Sequence, residues 1–529
     1  MPSDCISYQD SGYFTPLITD YLNQKEELKP LYNRFPTLTN FKQQITEKQD
    51  NYPSHFREVL ADTITGQYEN FETTSAISNN IKQLRDSNTF TVTTGHQLNL
   101  FTGPLYFLYK IISAINLCKE LKQTYPDYQF VPMYWMATED HDFEEINYFN
   151  FNDKKIKWPA ESAGPVGRLS TQGLDAVLQV FSKELGPGEN ATRLKKLFKN
   201  AYIQYNNLAD ATRYIANELF GKEGLVIIDA DNKALKELFI PHLKEELIQQ
   251  LSHDKVAETT EKLSDYNIQV NPREINLFYI EDNIRERIIL QEGIYYINNT
   301  ELQFNEAELL SLLEKHPEKF SPNVIMRPLY QEVILPNLCY IGGGGELAYW
   351  LELKSFFQSS GITFPVLLLR NSVLLANKKQ ADKLDKLNLN WADIFKKQQT
   401  LMNEKIQQYS EFQLDFTSQK EFLKQQFEKL AAIATKTHAS FTGAVQAQEK
   451  KQLKGLDNLE KRLRKAEKKN HVEELERIAA IQNQLFPAQS LQERQINFAV
   501  FYEQFGEQLL EKLLQELQPL EQEFSIIVL

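Results

Sequence analysis

A chain of 529 residues is too long for a single hydrophobic core, and 42% hydrophobic with 12% aromatic residues supplies the apolar material for about two to four domains. Fifty-eight basic against seventy-one acidic residues leave a net charge of −13, which excludes a whole-surface attraction to nucleic acid or anionic membrane; the apolar content excludes a disordered chain. Three cysteines, Cys5, Cys118 and Cys339, share no ligand spacing, so neither a disulfide framework nor a zinc finger is expected.

The opening residues, MPSDCISYQD, lack the basic and apolar regions of a signal peptide. The longest apolar runs, Phe364–Leu369 and Phe524–Leu529, fall far short of the roughly 20 residues of a membrane helix, so the expectation is a cytoplasmic protein. Residues 1–85 read as polar helical segments packed on the core, with few strand signals. The run TFTVTT (Thr89–Thr94) then predicts a strand, Pro104 opens an apolar-periodic helix to about Gln123, and Phe130–Ala137 predicts a second strand. Strand, glycine turn, helix, strand is a βαβ unit and implies a parallel sheet. Further strands are expected at Leu225–Ala230, Asn276–Ile280, Ile294–Ile297, Asn323–Met326, Leu338–Ile341 and Pro365–Leu369, giving a doubly wound α/β core over 86–376 with insertions at about 152–220 and 235–320.

From 377 to 485 proline is absent and Lys, Gln and Glu dominate. Leu456, Leu459, Leu463 and Ala466 keep coiled-coil spacing, and Val472, Leu475, Ile478, Ile481 and Leu485 resume an apolar face. The pattern predicts a helical hairpin folded back near Phe416-Thr417 or Thr442-Gly443, after which 486–529 returns to the core. Residues 449–469 hold nine basic and four acidic side chains without one aromatic, which reads as a solvated helix face rather than a nucleic-acid surface.

Ligands of open α/β sheets bind beyond the carboxyl ends of strands at the switch point, which directs attention to two strand ends. The first carries Gly95-His96-Gln97, then Thr102-Gly103-Pro104; amides at the following helix start can hold an anion, and His96 can donate to phosphate or carboxylate. The second carries Glu139, Asp140, His141, Asp142, Glu144 and Glu145, a cluster open to a general base, an ammonium clamp or a divalent metal, without a second ligand motif that would favour the metal. Two further candidates are Asn323 with Arg327, suited to a carboxylate or phosphate, and Gly342-Gly343-Gly344-Gly345 with Glu346, where the glycines permit close backbone approach and Glu346 could pair with an amine. No Walker sequence occurs.

The blocks TTGHQLNLFTGPLYFLYKIISAI, WMATEDHDFEEIN, SPNVIMRPLYQEVILPNLCYIGGGGELAYW and LFPAQSLQER, in order from 93 to 494, together resemble the bacillithiol biosynthesis cysteine-adding enzymes, the cysteine ligase family BshC. The resemblance implies a Rossmann-like core with connecting insertions and a C-terminal α-helical coiled coil able to mediate dimerisation. It implies a ligase that joins the carboxyl group of cysteine to the amine of glucosaminyl-malate, the last step of bacillithiol synthesis, with an associated nucleotide pocket. Where the family pattern carries glutamine this chain has His96, whereas Glu139–Phe143 matches without change.

On that expectation ATP or another acyl donor activates the carboxylate. Gly95, His96, Gln97, Thr102, Gly103 and Gly342–Gly345 would hold phosphate or carboxylate, Asp140 and Asp142 an ammonium group, and Arg327 a substrate carboxylate, while His141 would take the proton of the attacking amine. The residues leave two rivals open: a metal-dependent hydrolase built on 139–145, and a non-catalytic nucleotide-binding coiled-coil scaffold.

Overall fold

The computed structural model describes residues 3–529, and the chain divides into two compact units, one running to Leu375 and including Leu491–Leu529, the other Ala376–Ser490. Five strands of the first unit, β1 (Thr89–His96), β2 (Gln129–Met136), β3 (Val226–Asp229), β4 (Asn337–Gly342) and β5 (Val366–Leu369), form a parallel sheet in the order β5-β4-β1-β2-β3. The connections therefore run one way from β1 through β3 and the other way through β4 and β5. That arrangement puts a switch point between β1 and β4, and a crevice opens beyond their carboxyl ends.

The central strand β1 is buried along its whole length although half of it is threonine. Three of its four hydroxyls are satisfied inside the sheet: Thr91 and Thr93 Oγ1 donate to Asn337 Oδ1 at 3.2 and 2.8 Å, and Thr94 Oγ1 to the Ile341 carbonyl at 2.8 Å. Phe90 and Val92 pack with Ala114, Leu117 and Leu121 of the helix Tyr106–Thr124 and with Phe41 and Ile45 of the helix Leu38–Asn51.

Two expected strands, around Asn276–Ile280 and Ile294–Ile297, exist but lie outside the parallel sheet. Leu277–Glu281, Ile284–Gln291, Ile294–Ile297, Gln303–Asn305 and Phe320–Pro322 build a separate antiparallel sheet within the second insertion. Local alternation shows that a strand exists but does not name its partner; here the turn Glu292-Gly293, positive in φ at both residues (50° and 81°), closes a hairpin and fixes antiparallel pairing. The strand expected at Asn323–Met326 does not form. Asn323 Oδ1 instead accepts the Ile325 and Met326 amides at 2.9 and 3.2 Å and starts the helix Met326–Ile334, whose first turn tolerates Pro328. The N-terminal segment is helical as expected, except that Asp4–Ser7 is a strand pairing antiparallel with Glu523–Val528, a contact across nearly the whole sequence that no local pattern reports.

In the second unit the hairpin is made by Thr417–Ala434 and the 32-residue helix Ala439–Asn470. The reversal lies at residues 435–438, so Thr442-Gly443 is inside the second helix rather than at the turn. Phe427, Ala434 and Val445 form the buried seam, whereas Leu459 is 53% exposed. Among the described residues no helix is long and apolar enough to cross a membrane.

One buried carboxylate steers a loop toward the crevice. Glu352, fully buried, accepts the Gln269 and Val270 amides at 2.7 and 3.3 Å, just before Asn271 and Arg273. Burial raises its pKa to about 7 against the two amide bonds. The folded protein thus keeps this proton at pH values where the unfolded chain has lost it. The contribution to stability is full below the ordinary carboxylate pKa and lost as pH rises through about 7. We expect the stability difference between wild type and Glu352→Gln to change by on the order of 2 kcal/mol from pH 4.5 to 8, in denaturant titrations at several pH values, with wild type losing more as pH rises.

Candidate active site

A cavity of about 610 Å³ opens beyond the carboxyl ends of β1, β2 and β4. Gly95, His96 and Gln97 line it together with Glu139, Asp140, His141 and Asp142, so the two strand ends singled out from sequence share one crevice; Asn323, Arg327 and Glu346 line it as well.

Lys110 is the buried anchor of this crevice. It projects from the helix Tyr106–Thr124, donates to the Gly95 carbonyl at 2.7 Å, and pairs with Glu346 Oε1 at 2.6 Å. Burial lowers the Lys110 pKa against the pull of Glu346, whereas burial raises that of Glu346 and Lys110 outweighs it, holding the carboxylate below its usual range. Glu346 also accepts from Tyr340 OH at 2.7 Å and from the Gly343 amide at 3.2 Å. Nothing in the helical apolar pattern singles out Lys110 except its isolation: it is a lone charge among Leu108, Tyr109, Ile111 and Ile112.

Arg327 sits on the first turn of its helix, its Nη1 donating to Gln331 at 3.1 Å and its Nη2 to Tyr349 OH at 3.2 Å, with the guanidinium over the rings of Trp135 and Tyr340. A side chain at Gly95 would press on Tyr340 OH at 3.2 Å and approach Arg327, so glycine leaves both side chains their places. Asn323 lines the crevice, but its side chain is committed to its own turn and to Asn276.

The acidic loop after β2 is internally organised. Gln97 Nε2 donates to Asp140 Oδ2 at 2.9 Å and to Glu145 Oε2 at 3.0 Å, and Asp140 Oδ1 accepts the His141 amide at 2.7 Å. Glu139 pairs with buried Lys236, which also binds Asp231, so Glu139 acts as a structural counterion. The Asp142 carboxylate has no hydrogen-bond or ion-pair partner among the described residues.

His141 meets a residue that the sequence did not mark. Arg285 Nη1 lies 2.5 Å from His141 Nδ1. Arginine only donates, so Nδ1 accepts, and the neutral ring carries its proton on Nε2. Arg285 is fixed by Ser321 Oγ at 3.2 Å, by the Pro322 carbonyl at 3.3 Å and by stacking on Phe278 at 4.1 Å. His141 therefore faces the crevice as a hydrogen-bond donor, not as the proton acceptor expected from sequence. Donor atoms of Asp140, His141 and Asp142 lie within 4.8 Å of one another, but the guanidinium engages the Nδ1 lone pair, so the set as arranged does not fit a metal.

Other expectations are corrected by packing. His96 is 7% exposed, wedged against Tyr106 and Phe107, with Nε2 buried and unpartnered. Burial and nearby Lys110 hold its pKa well below the ordinary 6.5 despite a bond to the Thr102 backbone, so it lines the crevice as a neutral imidazole rather than as a cation. Thr102 and Gly103 do not line the crevice. Thr102 and Gly103 have φ of 69° and 63°, and Asn497 caps the Phe101 and Gly103 carbonyls at 2.7 and 2.6 Å. The Leu105 and Phe107 amides are bound by the Ile496 and Pro104 carbonyls, leaving neither of them for an anion. Gly342, Gly343, Gly344 and Gly345 also stay outside the cavity lining. A side chain at Gly342 would strike Glu346 and Leu347 at 2.9 Å, and one at Gly344 would meet Ile18 at 3.4 Å; these two glycines serve contacts within the chain.

Compared with known proteins, residues 1–371 match the family model described as Bacillithiol biosynthesis BshC, N-terminal Rossmann-like domain, and residues 373–529 match the model of the BshC C-terminal coiled-coil domain. A protein of Flavobacterium johnsoniae is 62% identical over 529 residues, covering 100% of both chains. One of Flavobacterium psychrophilum is 60% identical over 100% of this chain and 99% of its own, and one of Cytophaga hutchinsonii is 37% identical over 97% and 96%. All three carry the name "Putative cysteine ligase BshC".

The Lys110–Glu346 pair gives a direct test of the crevice floor. Lys110→Met leaves Glu346 without its counter-charge and is expected to destabilise the protein by about 3 kcal/mol. The double variant Lys110→Met/Glu346→Gln is expected to recover more than half of that loss in chemical denaturation.

Proposed function

The chain belongs to the bacillithiol biosynthesis BshC family, and from that membership we propose that it is a cysteine ligase, joining the carboxyl group of cysteine to the amine of glucosaminyl-malate in the last step of bacillithiol synthesis, in the cytoplasm. The observation that carries the reading is the composition of one crevice: an acidic loop, whose Asp142 carboxylate has no hydrogen-bond or ion-pair partner among the described residues, shares it with Arg327, so both the ammonium and the carboxylate of an amino acid find counter-charges.

In this reading Asp140 and Asp142 draw in the amine. The amine must lose a proton to attack, and Asp142, whose carboxylate makes no hydrogen bond or ion pair among the described residues, is placed to take it. Asp140 holds Gln97 and the loop in register. His141 donates its Nε2 proton to the carboxyl oxygen on which charge builds, and Arg285 keeps the ring in that tautomer. Arg327 holds the cysteine carboxylate. A free carboxylate is a poor acceptor for an amine, and ATP is the proposed activator. Dimerisation through the helical hairpin belongs to the same proposal, and it would cover Phe422 and Ile433, 64% and 56% exposed.

The deciding assay incubates the protein with cysteine, glucosaminyl-malate and ATP and follows the amide product and ADP or AMP by mass spectrometry. The amide with stoichiometric nucleotide turnover is expected; absence of the amide defeats the reading. His141→Ala should lower turnover roughly 10²–10³-fold with an unchanged melting temperature, and His141→Gln, which keeps an N–H donor, should retain at least tenfold more than the alanine variant. Equal losses in the two variants would instead point to proton abstraction by the ring.

A further inference from the structure

Three arginines reach the crevice from the second insertion, and only one is committed. Arg285 is held by His141, Ser321 and Pro322. Arg287 lies two residues further along the same strand, Ile284–Gln291, and so on the same face. Arg273 lies in the loop that Glu352 holds in place. The backbones of both are engaged, the Arg273 amide with Asn276 Oδ1 at 3.1 Å and the Arg287 carbonyl with the Asn298 amide at 2.9 Å. Their guanidinium groups have no hydrogen bond, ion pair or ring contact among the described residues, yet both line the cavity.

The crevice does not neutralise them internally. Glu139 is paired with Lys236 and Glu346 with Lys110, and the charges of Asp140 and Asp142 act on Arg285. Glu286, between the two strand arginines, belongs to the opposite face and accepts from Asn299 at 3.1 Å. Two uncompensated guanidinium groups in one cleft repel each other until an anion arrives, and each fork matches one carboxylate. A single carboxylate would satisfy only one of them.

We infer that Arg273 and Arg287 form a subsite for a dicarboxylate head group on the acceptor, and that this subsite decides which amine is used. The inference rests on the ligase reading, which supplies an acceptor carrying such a group. The crevice is thereby divided between two roles. The strand ends β1, β2 and β4 handle the reacting carboxyl and amine, and the antiparallel sheet selects the acceptor by its remote charge.

The test uses the full chain with Arg273→Gln, Arg287→Gln and the double variant, each checked for an unchanged melting temperature. Each single variant is expected to raise the KM for glucosaminyl-malate tenfold or more while the cysteine KM stays put, and a glucosaminide without the two carboxylates should no longer distinguish wild type from the double variant. L-malate, the free probe, should compete with the acceptor in wild type and at least tenfold more weakly in the variants. An unmoved acceptor KM overturns the subsite, as does a loss that falls on the nucleotide or inorganic phosphate competing better than malate. Should wild type form no amide, the ligase reading fails by itself, and calorimetric titration with L-malate still decides the subsite: binding lost in the double variant supports it, and equal or absent binding overturns it.

Discussion

Lys110 bridges the two halves of the parallel sheet where their connections part. By donating to the Gly95 carbonyl at the end of β1 and pairing with Glu346 just after β4, one ammonium group fixes the spacing of the two strand ends that open the crevice. Its position is costly, since burial opposes the charge, and the cost is offset only because a carbonyl and a carboxylate converge on it. Much of the site geometry follows from this tie. A side chain at 95 would crowd Tyr340, which Glu346 holds, and Arg327 packs on the same Tyr340 ring.

Around that anchor the charges are sorted rather than mixed. The acids nearest the sheet, Glu139 and Glu346, are consumed by buried lysines, while the loop acids Asp140 and Asp142 remain at the mouth. Arginines arrive from the opposite side of the sequence, on a strand more than 140 residues after His141. Placing a guanidinium against an imidazole engages its Nδ1 and leaves the ring proton on Nε2, so the hydrogen bonding of the histidine is set by a neighbour and not by its own loop.

The two glycine-bearing segments teach the converse lesson. Thr102-Gly103 and Gly342–Gly345 have the composition of ligand-binding loops, yet the chain's own packing accounts for what the structure shows of them: Asn497 donates to the Gly103 carbonyl and Ile496 accepts the Leu105 amide just after it, and Glu346, Leu347 and Ile18 crowd the second. Small residues allow a close approach; they do not say what approaches.

The sequence by itself determined the parallel core and the place of its crevice, because strand and helix periodicities, the proline after Gly103 and the runs ending at Gly95 and Asp140 are local properties written over a few residues. It also determined the helical character of residues 398–485, where apolar spacing survives without proline. The tertiary structure alone decided the antiparallel sheet of the insertion, the pairing of the N- and C-terminal strands, the burial of His96 and the arrival of Lys110, Arg273, Arg285 and Arg287 at the crevice. The physical reason is range. A strand's partner, an imidazole's tautomer and a buried ion's counter-charge are all fixed by groups distant in sequence, whose meeting depends on the packing of the whole unit.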